Sequence, residues 1–147
     1  MDVLITGGLG YAGSILIKKL LDNGHSVTVI DNKRFGDDHI NEFEGGLDII
    51  EKDVRDVESY KEDLDRADVV VHLAALSKEP TSLYNTKYCI DTNYLSTKKL
   101  VDYLKGKDKK FIYASSTSVY FTYDIVKEPE EYKEDKELNP ISPYSIT

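Results

Sequence analysis

The chain has 147 residues, a length typical of one domain. Hydrophobic residues make up 40% and charged residues 31%, a balance that indicates a packed core and excludes a disordered or fibrous chain. The net charge of −8 has the wrong sign for neutralising phosphates or for holding a protein on anionic lipid. The composition therefore predicts neither a nucleic-acid partner nor a membrane.

Cysteine and histidine usage limits the chemistry further. Cys89 is the single cysteine, which excludes an internal disulfide and a zinc site built on cysteine, and it indicates a cytoplasmic setting. His25, His39 and His72 lack metal-ligand spacing, so we predict no metal site and interpret all three as surface or packing residues. The N-terminus lacks the pattern of a signal peptide, and no apolar run approaches the ~20 residues of a membrane span.

Short apolar runs alternate with helical patterns along the chain. Strands are predicted over 3–6, 26–31, 47–50, 68–73 and 110–114, and helices over 11–23, 57–64 and 84–104. The apolar runs lack polar alternation, which is typical of a parallel sheet that helices cover on both faces. The pattern therefore predicts an α/β protein with a Rossmann-like, doubly wound parallel sheet.

The first predicted strand runs directly into a glycine-rich segment, Gly7-Gly8-Leu9-Gly10-Tyr11-Ala12-Gly13. Glycine lets a backbone turn sharply and approach a pyrophosphate closely, and the following helix offers free N–H groups and a positive dipole end. A tight turn with close helix–strand packing produces the same pattern, so the motif alone indicates a phosphate site only weakly.

Asp31 strengthens the nucleotide interpretation, because it ends the second strand 21 residues after Gly10. A carboxylate there accepts hydrogen bonds from the adenosine ribose hydroxyls and repels a 2′-phosphate, so NAD is predicted over NADP. Lys33 and Arg34 follow closely and oppose that preference. We interpret these two residues as part of a solvated loop rather than as a phosphate clamp.

These segments resemble the extended short-chain dehydrogenase/reductases, in particular the NAD-dependent nucleotide-sugar epimerase/dehydratase group. Residues 6–13 match the signature T-G-x-x-G-x-x-G, and residues 115–120 match S-S-x-x-V-Y. Residues 53–56, 72–76 and 91–97 match three further family segments. Ser96 and Phe121 depart from the pattern, because glycine is usual at both positions.

The resemblance implies that NAD is the cofactor and which residues touch it. It places Asp53 and Val54 at the adenine and Lys78 near the pyrophosphate, although a helix cap and a surface lysine are the alternatives for Asp53 and Lys78. The predicted cofactor-binding residues are Gly7, Gly10, Tyr11, Ala12, Gly13, Asp31, Asn32, Asp53, Val54, Leu73, Ala74, Ala75, Lys78, Asn93 and Ser115.

The resemblance also implies a catalytic pair. Tyr144 would take a proton from a sugar hydroxyl while a hydride passes to the nicotinamide, and Ser116 would bridge the tyrosine and the substrate. An ordinary residue of the chain tail is the alternative for Tyr144. Residues 116–118 read Ser-Thr-Ser, where 4,6-dehydratases of this family carry Thr-Asp-Glu. We therefore predict a UDP-glucose 4-epimerase-like activity on a UDP-sugar, with decarboxylases and 4-reductases remaining open.

The resemblance covers the N-terminal part of a family member, ending one residue before the expected lysine of Y-x-x-x-K. We expect residues 1–147 to form an incomplete NAD(P)-binding Rossmann domain, truncated before the last strands and the C-terminal substrate domain, with little activity. A non-catalytic NAD-binding module or an inactive fragment is the alternative. The fifth strand would then be an open sheet edge, and the long helix would expose Tyr88 and Leu95, so we expect a homo-oligomer.

Overall fold

The computed structural model describes residues 1–36, 45–120, 133–135 and 137–147. Five strands form one parallel sheet within these residues, in the order β3-β2-β1-β4-β5. His39 and Phe121, both considered in the sequence analysis, lie outside the described residues. The strands are β1 (Asp2–Thr6), β2 (Ser26–Asp31), β3 (Leu47–Glu51), β4 (Val69–His72) and β5 (Lys110–Tyr113).

The register brings the carboxyl ends of the central strands into one row. Thr6 of β1 lies opposite Ile30 of β2 and His72 of β4, and His72 lies opposite Tyr113 of β5. The strand order changes direction between β1 and β4. Open parallel sheets bind ligands in the crevice outside the carboxyl ends of their strands, where the strand order changes direction. The topology therefore indicates this edge as the candidate ligand site.

Six helices connect and flank the strands within the described residues. They are α1 (Tyr11–Asp22), α2 (Lys61–Arg66), α3 (Glu79–Tyr84), α4 (Thr86–Cys89), α5 (Ser96–Leu104) and α6 (Pro143–Ile146). Val57–Tyr60 and Thr117–Tyr120 form 3₁₀ turns, and a π-helical turn over Ile90–Leu95 joins α4 to α5. The predicted helix over 57–64 is therefore a 3₁₀ turn followed by α2.

The core lies on both faces of the sheet, as a doubly wound fold requires. On one face, Ile17 of α1 packs with Val3, Ile5 and Val29. On the other face, α2 and α5 pack against the sheet through a cluster that includes Leu4, Leu64, Val70 and Leu100. The predicted fold class, a Rossmann-like parallel sheet with helices on both faces, is confirmed.

The helix predicted over 84–104 is continuous from Thr86 to Leu104, through α4, the π-helical turn and α5, so it begins two residues later than predicted. Asn85 leaves the helical conformation, with φ −138° and ψ 73°, and separates α3 from α4. Its side-chain Oδ1 accepts the N–H of Tyr88 at 3.0 Å. Asparagine favours this capping role over a helix interior, because its side chain replaces a backbone partner.

The strand β5 is an edge of the sheet in the described part of the chain, as predicted. It pairs with β4, and its residues Ile112 and Tyr113 are 42% and 46% exposed. Among the described residues, no helix combines the length and apolar character needed to cross a membrane.

Candidate functional site

The glycine-rich loop packs so closely that two of its glycines have no room for a side chain. Gly7 adopts φ +70°, and a Cβ atom there would lie 2.6 Å from the backbone N of Ala74. A Cβ atom on Gly13 would lie 2.3 Å from the carbonyl oxygen of Gly8. Glycine is therefore required at both positions for α1 and the segment after β4 to pack against the loop.

The first turn of α1 presents backbone donors at this edge. Gly10 is the N-cap and supplies no side-chain hydrogen bond, and the first turn contains no acidic residue. Tyr11 and Ala12 are exposed, whereas Gly13 is buried. Neither the N-cap residue nor an acidic side chain of the first turn therefore occupies the positive end of α1, which is the arrangement that suits a pyrophosphate.

The carboxylate of Asp31 is fixed beside the loop by two backbone donors. One oxygen accepts the N–H of Leu9 at 3.1 Å, and the other accepts the N–H of Lys33 at 2.9 Å. Each carboxylate oxygen retains further acceptor capacity, which ribose hydroxyls can use. Asn32 is exposed, and its side-chain oxygen accepts the N–H of Arg34 at 3.2 Å.

Asp53 forms an ion pair with Arg55 at the end of β3. The Arg55 guanidinium donates to both carboxylate oxygens, at 2.9 Å from Nε and 2.6 Å from Nη2, and the Arg55 N–H adds a third bond at 2.9 Å. These hydrogen bonds hold the pKa of Asp53 below its usual value, so the group stays an acceptor. Val54 is buried, and its carbonyl accepts the hydroxyl of Tyr60 at 2.9 Å.

Asn93 holds the segment that follows β4. Its Oδ1 accepts the N–H of Leu76 at 2.7 Å, and its Nδ2 donates to the Leu76 carbonyl at 3.3 Å and to Thr147 Oγ1 at 3.1 Å. This buried amide is committed to the chain's own atoms, so it acts by shaping the segment that carries Ala74 and Ala75. Lys78, predicted near the pyrophosphate, is exposed at the N-cap of α3.

His72 connects β1, β4 and α5 through a chain of hydrogen bonds. Its Nδ1 lies 2.6 Å from Thr6 Oγ1, and its Nε2 lies 2.8 Å from Thr97 Oγ1. The Thr97 hydroxyl donates to the carbonyl of Asn93 at 2.5 Å, so it must accept the proton of Nε2. Nδ1 therefore accepts the Thr6 hydroxyl, and Thr6 Oγ1 in turn lies 3.5 Å from the N–H of Ala74.

This network uses a neutral imidazole. Burial lowers the pKa of His72 to about 4, because little solvent reaches the ring to stabilise its charged form. His72 is thus a packing residue, as interpreted from the sequence. The ring stacks on Tyr113, with centroids 5.9 Å apart and planes 20° from parallel. His72 therefore contacts Thr6 at the end of β1 and also lines a cavity at the ends of β4 and β5.

A cavity of about 240 Å³ opens at the ends of β4 and β5. Ser116 and Tyr144, the predicted catalytic pair, both line this cavity although they are 28 residues apart. Other predicted residues that line it are Leu73, Ala74, Ala75, Asn93 and Ser115. Ser116 starts the turn over Thr117–Tyr120, where its Oγ accepts the N–H of Ser118 at 3.2 Å.

Tyr144 lies in α6 rather than in an unstructured tail. Ser142 is the N-cap of α6, and its side chain accepts the N–H of Ser145 at 3.1 Å in a reciprocal capping box. Pro143 occupies the first turn, where its missing N–H costs no hydrogen bond. The local sequence Ser-Pro-Tyr-Ser therefore starts a helix that turns Tyr144 toward the cavity.

A second phenol, Tyr113, lines the same cavity. Burial and the charge that Tyr144 would carry raise the pKa of Tyr113 above its ordinary value. Tyr113 therefore stays protonated at neutral pH.

The sequence from residue 3 to residue 147 matches the model of the NAD dependent epimerase/dehydratase family. The chain belongs to that family. The expected family and its cofactor, NAD, are therefore confirmed at the level of the family. The identification agrees with the glycine loop, Asp31 and the parallel sheet, since each feature lies where a dinucleotide fold requires it.

Individual relatives from this family act on nucleotide sugars. The chain is 40% identical over 119 residues to a UDP-N-acetyl-alpha-D-glucosaminuronate decarboxylase of Bacillus cytotoxicus. The matched region is 80% of this chain and 37% of the relative. The solved UDP-N-acetylglucosamine 4-epimerase of Methanobrevibacter ruminantium, in complex with UDP-N-acetylmuramic acid, is 32% identical to this chain, with a TM-score of 0.84. The match covers 99% of this chain and 46% of the epimerase chain.

A solved UDP-glucose 4-epimerase of Thermus thermophilus, in complex with NAD, is 29% identical with a TM-score of 0.84. The match covers 99% of this chain and 47% of the Thermus thermophilus epimerase chain. The chain thus spans less than half the length of each of the three proteins named. The family match, over residues 3–147, covers the glycine-rich loop, Asp31 and the residues that line the cavity.

The contacts of Tyr88 with two arginines were not predicted from the sequence. Tyr88 was expected to face water, yet it is half-buried, with the Arg34 and Arg55 guanidinium carbons 5.3 Å and 4.7 Å from its ring centroid. Arg34 was interpreted only as part of a solvated loop. These contacts join residues far apart in sequence, so periodicity and spacing gave no signal for them. The other residue expected to be exposed, Leu95, is exposed.

Proposed function

We propose that this chain binds NAD along the carboxyl edge of its sheet and contributes to oxidation and reduction of a UDP-sugar, most like a UDP-glucose 4-epimerase. The observation that carries the proposal is the shared cavity of Ser116 and Tyr144, which adjoins the segment packed on the glycine loop. The proposal extends from the family to a substrate class because the relatives described above include UDP-sugar epimerases and a UDP-sugar decarboxylase.

The proposed cofactor contacts follow the edge of the sheet from β3 to β4. Asp31 and Asp53 are acceptors for the ribose hydroxyls and the adenine, and the first turn of α1 donates to the pyrophosphate. Ala74 and Ala75 leave space for the nicotinamide half beside the backbone. NAD, when bound, accepts and returns a hydride.

The proposed catalytic steps belong to two side chains of the cavity. Tyr144 takes the proton of a sugar hydroxyl at its phenolic oxygen, and Ser116 hydrogen-bonds to the same hydroxyl to align it. The placement of Tyr144 in α6, capped by Ser142, supports this role, because the helix holds the phenol at the cavity that Ser116 also lines.

Two experiments test the proposal. Calorimetry of the 147-residue chain with NAD and NADP measures cofactor binding, and NAD is expected to bind more tightly. Product analysis with UDP-glucose, UDP-galactose and UDP-glucuronate then separates epimerisation from loss of carbon dioxide, using this chain and any longer product of its gene.

Matched variants assign the roles. Tyr144→Phe and Ser116→Ala are each expected to reduce turnover by about 10²-fold or more, the scale of general acid–base catalysis. Tyr113→Phe, which alters the second phenol of the cavity, is expected to retain turnover. If Tyr113→Phe and Tyr144→Phe lose activity equally, Tyr144 is not the specific base. NAD binding without turnover in any form favours the alternative, a non-catalytic NAD-binding module.

A further inference from the structure

Three separate segments meet at the ring of Tyr88. The guanidinium carbon of Arg34 lies 5.3 Å from the ring centroid, and that of Arg55 lies 4.7 Å from it. Arg34 follows β2, Arg55 follows β3, and Tyr88 belongs to α4. We call these three residues the Tyr88 clasp. Contacts of arginine with an aromatic face are attractive because the cation meets the negative face of the ring.

The Tyr88 clasp joins segments from both sides of β1. Strands β2 and β3 lie on one side of β1, whereas β4, which precedes α4 in the chain, lies on the other. Tyr88 therefore contacts the segments after β2 and β3 from an element that follows the strand on the other side of β1. Asp31 ends β2 and Asp53 follows β3, so both carboxylates belong to the segments that the clasp joins.

Both arginines are coupled to the proposed nucleotide acceptors. Arg55 holds the Asp53 carboxylate through two side-chain hydrogen bonds, and the Arg34 N–H donates to Asn32, the residue after Asp31. The Tyr88 backbone is fixed by the Asn85 cap at 3.0 Å and by its fully buried neighbour Cys89. The ring is thus held on a rigid support, while the Arg34 side chain is exposed.

We propose that the Tyr88 clasp covers the adenosine half of the bound cofactor, with Tyr88 as a residue that determines affinity for adenosine-containing ligands. The flat faces of a phenol and of guanidinium groups suit stacking on a purine. The inference rests on the proposed function, because it takes the carboxyl edge as the cofactor site.

The test measures the affinity of the 147-residue chain for ADP-ribose, which contains the adenosine half without the nicotinamide. Tyr88→Ala is expected to weaken binding about tenfold, and Arg34→Ala about threefold, as expected for loss of partly desolvated cation–π and stacking contacts. Tyr88→Phe keeps the ring and should bind within about twofold of the unchanged chain. Tyr84→Ala is the matched control, since Tyr84 is 92% exposed in the neighbouring helix.

The outcomes separate the two proposals. If the unchanged chain binds ADP-ribose and the Tyr88→Ala and Arg34→Ala variants bind it equally well, the clasp is wrong and the cofactor site stands. If the unchanged chain does not bind ADP-ribose, the cofactor site fails and the clasp fails with it. Thermal unfolding without ligand tests the fold of each variant. Should Tyr88→Ala unfold, the exposed Arg34→Ala decides the result.

Discussion

The two ends of the sheet's carboxyl edge are built in different ways. At the nucleotide end, beyond β1, β2 and β3, backbone N–H groups of the residues that follow each strand donate to the Asp31 and Asp53 carboxylates. At the cavity end, beyond β4 and β5, the site combines side chains from residue 116 and residue 144. The cavity also borders β5, the exposed edge of the sheet.

The two ends therefore differ in what disturbs them. The nucleotide end is sensitive to single substitutions, whereas the cavity end depends on how segments distant in sequence pack together. The glycine-rich loop at the nucleotide end is closely packed, so a single carbon added at Gly7 or Gly13 would disturb it. The cavity end depends on α6 packing beside the turn over Thr117–Tyr120, where the N–H of Asn139 donates to the carbonyl of Val119 at 2.8 Å. His72 contacts both ends, because it bonds to Thr6 and Thr97 and stacks on Tyr113.

The largest expected effect is at Gly13. A Cβ atom there meets the Gly8 carbonyl oxygen at 2.3 Å, and the contact is between two backbones that cannot rotate away. Gly13→Ala is therefore expected to lower the free energy of unfolding by about 3 kcal/mol, measured by urea denaturation. Gly10→Ala is the matched control in the same loop, since Gly10 has φ −76° and its nearest neighbour is at 3.3 Å. Equal losses in both variants would contradict this account of the loop.

The next effect is a pH dependence that arises at the junction of the two ends. A histidine has an ordinary pKa of about 6.5 in the unfolded chain, whereas His72 in the fold has a pKa of about 4. Between pH 6.5 and about pH 4, the histidine is protonated in the unfolded chain but neutral in the folded chain, so the free energy of unfolding falls as the pH falls. Protonating His72 costs about 3 kcal/mol more in the fold than in the unfolded chain, so about 2 kcal/mol of stability is lost between pH 7 and pH 5.

Urea denaturation at pH 7 and pH 5 measures this loss. Other groups also contribute to the pH dependence, so the comparison is made with His72→Gln, which cannot gain the proton. The variant is expected to be less stable at pH 7, because it cannot reproduce both hydrogen bonds, but to lose about 2 kcal/mol less on acidification. An identical pH dependence in the two proteins would remove His72 as its source.

The residue pattern alone pointed to the glycine-rich loop and Asp31 but not to the cavity end, for a physical reason. The glycine spacing and Asp31 are local requirements of one βαβ unit, so their residues lie within a short stretch of chain. The hydrogen bonds from His72 to Thr6 and Thr97 span 66 and 25 residues, and the contacts of Tyr88 also join distant segments. Such pairings depend on strand order and helix placement, which a pattern of residue types does not specify. The position of Ser116 and Tyr144 followed from family resemblance alone.

A smaller effect concerns cofactor choice at the nucleotide end. Asp31→Asn keeps one acceptor oxygen but removes the charge, so NAD should bind about tenfold more weakly and the gap to NADP should narrow. Asp48→Asn is the matched control, because Asp48 is an exposed carboxylate on the neighbouring strand β3. Calorimetry with both cofactors measures the gap. Equal affinities for NAD and NADP in the unchanged chain would contradict the role assigned to Asp31.

The smallest expected effect is self-association, through the β5 edge at the cavity end or through the exposed surface of the π-helical turn. Ile112 and Tyr113 are exposed on the β5 edge, and the charge that protects such an edge is sparse. Lys109 does not protect it, because its Nζ donates to the carbonyls of Asp65 and Ala67 at 2.7 Å and 2.5 Å. Tyr94 and Leu95 add exposed apolar surface on the π-helical turn.

We therefore expect weak, concentration-dependent association in sedimentation velocity over the micromolar range. Ile112→Lys places a charge on the strand edge, and Tyr94→Lys places the same charge on the helical surface. The variant that restores the monomer identifies which of the two surfaces mediates the contact. Since a lysine at an edge opposes strand pairing directly, loss of association in Ile112→Lys alone would assign it to β5. A single monomeric species of the unchanged chain at high micromolar concentration would show that neither exposed surface is sufficient for association.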